Sequence, residues 1–357
     1  MAPVYYALRA QEGIDVRILT TGQHREQLGS MLDIFDLTPE HELELMTERQ
    51  QLPELLGRSV PAVAQVLRKQ RPDYVLVHGD TLSTFAASLA SYYEGIPVGH
   101  VEAGLRSHNL QEPFPEEANR RLTDVLTDID LPPTSLAKDN LLAEGKRAED
   151  MVITGNTAVD AVHHALNKAR LLPQFQGKKL VTITMHRREN LVHLPAMAAC
   201  LGELARATPH YHFVYPVHLN PAVQEAVYPA LDQIPNVELC APLDYLNMLA
   251  LMQASELIIT DSGGLQEEGS ALSIPVVVLR NVTERPEGLV TGSLKLAGNQ
   301  PEGMRAVIAP LLEHAHLRQA MKDAPNPYGD GQAGGRIARA VAWRLGLTTR
   351  PKDWKPS

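Results

Sequence analysis

The chain has 357 residues, 44% apolar and 21% charged, with a net charge of −9. That is ordinary globular composition, and the charge has the wrong sign for a nucleic-acid footprint. No apolar run approaches the ~18–20 residues of a membrane span, and the length exceeds the ~250–300 residues at which single cores stop growing, so two domains are expected.

The first residues, Met1 to Tyr6, lack the basic and apolar regions of a signal peptide. Met1–Arg9 looks like the interior of a helix. A doubly wound domain normally opens with a strand and a loop, so the opening strand is missing from its expected place. The expectation is either a start downstream of the true one or a truncated chain. Short β-rich runs then alternate with helix-length stretches. Strand candidates are Val16–Leu19, Tyr74–Val77, Val98–Val101, Val152–Thr154, Leu180–Thr184, Phe213–Tyr215, Leu257–Thr260 and Pro275–Leu279. Most lack polar alternation, as strands buried on both faces of a parallel sheet do. Helix candidates include Pro53–Gln70, Thr81–Glu94 and Ala196–Ala207. The alternation predicts an α/β fold of two Rossmann-like, doubly wound domains. Their expected spans are 1–170 and 175–330, with the break near Leu171–Lys179, where the helix pattern is interrupted. A C-terminal helix over about 331–347 is a candidate to pack back on the first domain, and Lys352–Ser357 should fray. Cys200, in a helical pattern, and Cys240, ending a strand-like run, are expected to be buried, reduced thiols of a cytosolic protein. His163 and His164 are adjacent on a helix and point apart. With no CxxC or HExxH pattern, no metal site is expected.

In open α/β sheets ligands bind beyond the carboxyl ends of the strands, and six polar clusters fall there. In His78-Gly79-Asp80-Thr81, Asp80 is either an N-cap or a carboxylate aimed at a ligand. Glu102 follows a strand directly, so it needs a salt-bridge partner or a function. Pro115-Glu116-Glu117 opens a helix, and Glu117 reads as a carboxylate complementing the helix dipole. His186-Arg187-Arg188 is an anion-pocket candidate at a strand end. Asp261-Ser262-Gly263-Gly264 joins a strand to a helix like a phosphate cradle, with Glu268 about one turn on, where a carboxylate could hold a ribose diol. Arg285 could add positive charge to the same phosphates.

Together these strings resemble the bacterial non-hydrolysing UDP-N-acetylglucosamine 2-epimerases. The matching blocks are Thr21–Glu26, His78–Thr81, His100–Arg106, Pro113–Arg120, Thr154–Thr157, His186–Asn190, Pro216–Pro221, Asp261–Glu268, Thr283–Gly288 and Asn326–Gly331, in family order over almost the whole chain. The resemblance implies a GT-B-like pair of domains with an interdomain cleft, usually in a homodimer. It implies reversible conversion of UDP-GlcNAc to UDP-ManNAc through elimination of UDP to 2-acetamidoglucal and re-addition, with no external cofactor. By the same resemblance Asp80, Glu102 and Glu116 are the acid/base set, with His186 near the departing diphosphate. Ser262, Gly263, Gly264 and Arg285 hold the diphosphate, Glu268 the ribose, and Met248 stands near the uracil, where many relatives carry Phe. A second, regulatory UDP-GlcNAc site uses Gln23, His24, Gln50, Arg187 and His218. The family's opening strand and its Gly-Thr-Arg-Pro loop precede the string that opens this chain, so their phosphate contacts are expected to be missing. Competing readings are a hydrolysing 2-epimerase releasing UDP and ManNAc, a non-catalytic UDP-sugar-binding protein, and, more distantly, a glycosyltransferase.

Overall fold

The computed structural model describes residues 1–22, 25–45 and 51–356. They form two compact α/β units, one of Met1–Ala161 with Gly329–Lys355, the other of Val162–Tyr328. The chain leaves the first unit inside a helix, Thr157–Leu166, that runs unbroken through the crossing. The division therefore precedes the break expected at Leu171–Lys179. That segment belongs to the second unit, where Phe175 is buried against Leu180, Val214 and Leu251.

The first unit opens with α1 (Ala2–Arg9), β1 (Leu19–Thr20), α2 (Arg25–Ile34), β2 (His41–Glu42), α3 (Leu52–Gln70) and β3 (Val75–His78). It continues with α4 (Leu82–Tyr93), β4 (Val98–Val101), α5 (Glu116–Leu126), β5 (Ile129–Leu131), α6 (Ser135–Ala143) and α7 (Thr157–Leu166). All its strand pairings are parallel, but they fall into two sheets, β1-β2 and β3-β4-β5. No ladder joins β1 to β3 among the described residues. The two edges nevertheless share apolar ground. Leu19 and Val75 pack on one cluster with Val63 and Leu67 of α3, and Val16 packs on another with Tyr74 and Leu76. The expected strand Val16–Leu19 shrinks to two residues, and Val152–Thr154 is no strand. It runs beside β5 with a single bridge between Asp130 and Met151.

Local sequence sets the helix ends. Gln51 and Glu54 close a reciprocal capping box before α3, and the Thr81 hydroxyl accepts the Thr84 N–H before α4. Thr81, not Asp80, is thus the N-cap, which leaves Asp80 for other work.

The second unit contains β6 (Leu180–Thr184), α8 (Leu194–Ala207), β7 (His212–Pro216), α9 (Pro221–Leu231), β8 (Val237–Cys240) and α10 (Tyr245–Gln253). Then come β9 (Ser255–Thr260), α11 (Gly263–Ala271), β10 (Val276–Val278), α12 (Glu287–Thr291), β11 (Leu294–Leu296), α13 (Pro301–Glu313) and α14 (Ala315–Lys322). Its sheet is one parallel array in the order β11-β10-β9-β6-β7-β8. Every residue of β6 and β10 is buried, the pattern of strands covered on both faces. Cys200 is buried, whereas Cys240 is only half-buried; both thiols are free.

The last helix, α15 (Ala333–Arg344), lies in the first unit, where Ile337 and Val341 join Val4 and Leu8 of α1 in one buried cluster. A Cβ on Gly334 would fall 2.7 Å from the Pro3 carbonyl oxygen, so the two helices meet at backbone distance. The tail beyond is not frayed as expected. Trp354 is buried and donates its backbone N–H to the Ile153 carbonyl oxygen, and Asp353 pairs with Lys138. The order comes from contacts back to the β5 region, which local composition does not reveal. Among the described residues, no helix is long and apolar enough to cross a membrane.

Candidate active site

In the first unit the carboxyl ends of β3 and β4 stand side by side, because the register pairs His78 with Val101. The next residues along each strand are Gly79-Asp80 and Glu102. Gly79 has φ +71°, a left-handed turn that favours glycine, and it passes beside the Glu102 carboxylate. Glu102 is itself at φ 67°, left-handed backbone that a non-glycine residue adopts at a cost of order 1–3 kcal/mol. Its carboxylate lies 3.3 Å from the His78 Nε2 and 3.5 Å from the Asn156 amide nitrogen. Burial, above all, pushes the His78 pKa well below the usual imidazole range. His78 is therefore a neutral neighbour of Glu102 rather than its cation.

Asp80 is held from α5. The Arg120 guanidinium is 2.5 Å from its carboxylate, and the Asn119 amide donates to its backbone carbonyl at 3.0 Å. Glu116 opens the same helix, one turn before Arg120. The unit thus brings Asp80, Glu102 and the helix start bearing Glu116 to one end of the sheet. Glu117 does more than complement a helix dipole. It is fully buried, accepts the Ser107 and His108 N–H groups, and pairs with Arg120 at 3.1 Å. Arg120 is the residue that sequence reasoning passed over. Its block was noted, but a partner 40 positions away leaves no local signal.

In the second unit, β6 and β9 are paired with Thr184 opposite Thr260. Asp261, fully buried just past β9, accepts the backbone N–H groups of His186 and Arg187 and the Asn190 amide, at 2.9–3.1 Å. It fixes the loop after β6 against the Ser262-Gly263-Gly264 start of α11. A Cβ on Gly263 would lie 2.7 Å from one nitrogen of Arg285 and 3.3 Å from one of Arg187. Two guanidinium groups therefore converge over a helix N-terminus, which already favours anions. Arg285 is held there by Glu267 at 2.5 Å, and its backbone carbonyl accepts the Tyr328 hydroxyl at 3.0 Å. The His186 ring stacks on His218 at 5.3 Å, and burial lowers its pKa.

Glu268 lies one turn into α11. Burial, with Glu267 beside it, pushes its pKa up to about 7. Met248 packs with Phe175, Leu180 and Val214 in a small apolar cluster. Gln23, His24 and Gln50 lie outside the described residues. Arg187, expected at a second site, sits with Arg285 over Gly263, and His218, expected at the same second site, stacks on His186. One cluster has metal-ligand spacing among the described residues, His100, Asp124 and Asp130. Its polar atoms already face Arg106, Lys146 and the Gly79 carbonyl, so cationic side chains occupy the positions an ion would take.

The sequence matches the family described as UDP-N-acetylglucosamine 2-epimerase over residues 6–342. It is 41% identical to the UDP-N-acetylglucosamine 2-epimerase of Bacillus subtilis over 99% of this chain and 94% of that protein. The structure is similar to the S. aureus MnaA–UDP co-structure, with TM-score 0.93, 40% identity, and coverage of 99% of this chain and 95% of the other. It is also similar to the Neisseria meningitidis UDP-GlcNAc 2-epimerase bound to UDP-GlcNAc, with TM-score 0.90, 40% identity, and coverage of 96% and 95%.

Proposed function

The chain belongs to the UDP-N-acetylglucosamine 2-epimerase family, and from that premise we infer that it interconverts UDP-GlcNAc and UDP-ManNAc. The C2 proton of the sugar is not acidic, because no carbonyl adjoins it. Breaking the anomeric C1–O bond first solves this. UDP leaves with the bonding pair, positive charge develops at C1, and a carboxylate then takes the C2 proton to give 2-acetamidoglucal. Return of a proton to C2 on the opposite face and re-addition of the UDP oxygen to C1 complete the inversion. No electrons are gained or lost overall.

The observation that carries this reading is the division of charge between the units. Asp80 and Glu102 end neighbouring strands beside the helix that Glu116 opens, while Arg187 and Arg285 meet over the α11 N-terminus. Carboxylates suit proton transfer and stabilisation of positive charge at C1. Guanidinium groups and backbone N–H groups suit a departing diphosphate, whose charge grows only as the bond breaks. We assign Asp80, Glu102 and Glu116 to the proton and C1 chemistry. Arg285, Arg187 and the Ser262-Gly263-Gly264 turn take the diphosphate, with His186 beside it, and Glu268 takes the ribose hydroxyls. His218 stacks on His186, so a second UDP-GlcNAc bound at His218 would be felt at the leaving group; that regulatory site, a homodimer and a cytoplasmic location belong to the same proposal.

Incubation with UDP-GlcNAc in deuterated water tests it. The expected result is a mixture of the two UDP-sugars carrying deuterium at C2. UDP with free ManNAc would instead mark a hydrolysing enzyme. Binding of UDP with no exchange at C2 would mark a non-catalytic sugar-nucleotide receptor.

A further inference from the structure

The three carboxylates assigned to proton chemistry stand on three different elements: the turn after β3, the end of β4, and the start of α5. Their relative positions must hold to fractions of an ångström, and one buried side chain of β4 reaches both the turn after β3 and the far end of helix α5. His100, fully buried on β4 two residues before Glu102, places its Nε2 2.8 Å from the Gly79 carbonyl oxygen and its Nδ1 2.5 Å from Asp124. Gly79 precedes Asp80 directly. Asp124 lies on α5, two turns after Glu116 and one after Arg120.

We propose that His100 is a positioning residue for the acid/base carboxylates, pinning the Gly79–Asp80 turn and helix α5 to strand β4 through its two ring N–H groups. The proposal rests on the assignment of Asp80 and its neighbours as the acid/base set.

The hydrogen bonds dictate the state of the ring. A peptide carbonyl can only accept, and so can an ionised carboxylate, so both ring nitrogens must donate and the ring is an imidazolium. Burial opposes that charge, but Asp124, with Asp130 further off, outweighs it and raises the His100 pKa. Burial likewise opposes an ionised Asp124, but His100 and Arg106 hold it below the usual carboxylate range. Arg106 reaches the second oxygen of Asp124 at 2.6 Å and continues to Glu144 at 2.7 Å; Lys146 sits 2.8 Å from Asp130. Three cationic and three anionic side chains thus close one network. Such a network is rigid when complete, and removing one member leaves a buried charge without its partner. It can hold the turn still because its members do not need to change charge during turnover.

Two readouts test the clamp. In the wild-type protein, nitrogen NMR of ¹⁵N-histidine-labelled enzyme should show both His100 ring nitrogens protonated through the neutral pH range. A ring with one bare nitrogen overturns the proposal, and this measurement does not depend on any variant folding. In His100→Asn and His100→Gln, kcat and the rate of C2 deuterium exchange should fall about 10- to 100-fold, the scale of a 1 Å misplacement. KM for UDP-GlcNAc and the affinity for UDP, set by the second unit, should move less than about twofold on the same reasoning. Adding Asp80→Asn should then cost much less than it costs in the wild type, since both act on one group. Unchanged kcat in a folded His100 variant overturns the proposal, and so does full additivity with Asp80→Asn. A wild-type enzyme with no C2 exchange, or an Asp80→Asn variant at full speed, would sink the underlying acid/base assignment instead, while the NMR result would still report on the clamp.

Discussion

The two units hold their functional groups by different means. In the first unit, side-chain charge does the holding. Arg120 binds Asp80 and Glu117, and the His100–Asp124–Arg106 network lies beneath. In the second, an uninterrupted six-stranded sheet supports the site, and backbone does much of the holding: Asp261 gathers N–H groups, and glycines bring the helix start close to the arginines. On the proposed assignment, the difference follows from the tasks. A diphosphate is large, always charged, and satisfied by fixed donors. A proton-transfer carboxylate must face the substrate with one side and still be gripped by the other, which calls for a directed cation.

Variants in each unit should therefore fail in different ways. Asp80→Asn or Glu116→Gln should lower kcat by about 10²-fold or more, the scale of lost acid/base help, with UDP affinity and the far-UV spectrum unchanged. Near-normal turnover in both would erase the contrast. Arg285→Ala should weaken UDP binding by roughly ten- to a hundredfold, the worth of a charge-assisted contact of ~1.5–3 kcal/mol. Because Glu267 would be left buried without its partner, Arg285→Ala should also lower the melting temperature; titration calorimetry and thermal melts separate the two effects.

Glu268 gives a smaller, pH-dependent effect. Its pKa is raised in the folded protein to about 7, so ionising it costs stability as pH rises from the ordinary carboxylate range to about 7. Ribose hydroxyls donate best to the ionised form. KM for UDP-GlcNAc, whose diphosphate carries no proton near pH 7, should thus fall several-fold as pH rises through that point. The profile should be flat in Glu268→Gln, and an unchanged slope there would remove Glu268 from the ribose site. Smallest of all, Thr81→Ala and Asp244→Ala each delete one helix N-cap. Each should lose about 1 kcal/mol in denaturant titrations. A much larger loss at Thr81 would mean that the turn beside Asp80 leans on its cap as well as on charge.

The α/β class, both units and most long strands are legible in the sequence because buried parallel strands write themselves as apolar runs. Leu180–Thr184 and Val98–Val101 appear with their observed ends. The short strands β2 and β5 leave no such run, and Val152–Thr154 has the right composition without the ladder. At the candidate site, Asp80 and Glu116 stand out in the sequence because each sits at an element boundary beside glycine or proline, and Glu102 because it follows a strand directly. Arg120, Asp124 and the true work of Glu117 do not. Each is a polar residue of α5 whose meaning lies in contacts made only when the chain is folded, Arg120 with Asp80, Asp124 with His100, and Glu117 with the Ser107 and His108 N–H groups. Asp261 is visible as part of a motif, but its role as a collector of backbone N–H groups emerges only when β6 and β9 lie side by side. The orderly tail has the same cause, since Trp354 is fixed by Ile153, 201 positions earlier by numbering (354 − 153).

The meeting of α1 with α15 bears on how the polypeptide is made. Residues 162–328 are contiguous, so the second unit can close as soon as it clears the ribosome, whereas the first waits for a helix that begins at Ala333. The usual order of folding during synthesis, earlier domain first, should thereby be reversed. Nascent chains arrested shortly after residue 330 has emerged should resist brief proteolysis over 162–328 and be cut freely over 1–161; equal protection of both would show that α1 and its neighbours settle without their late partner.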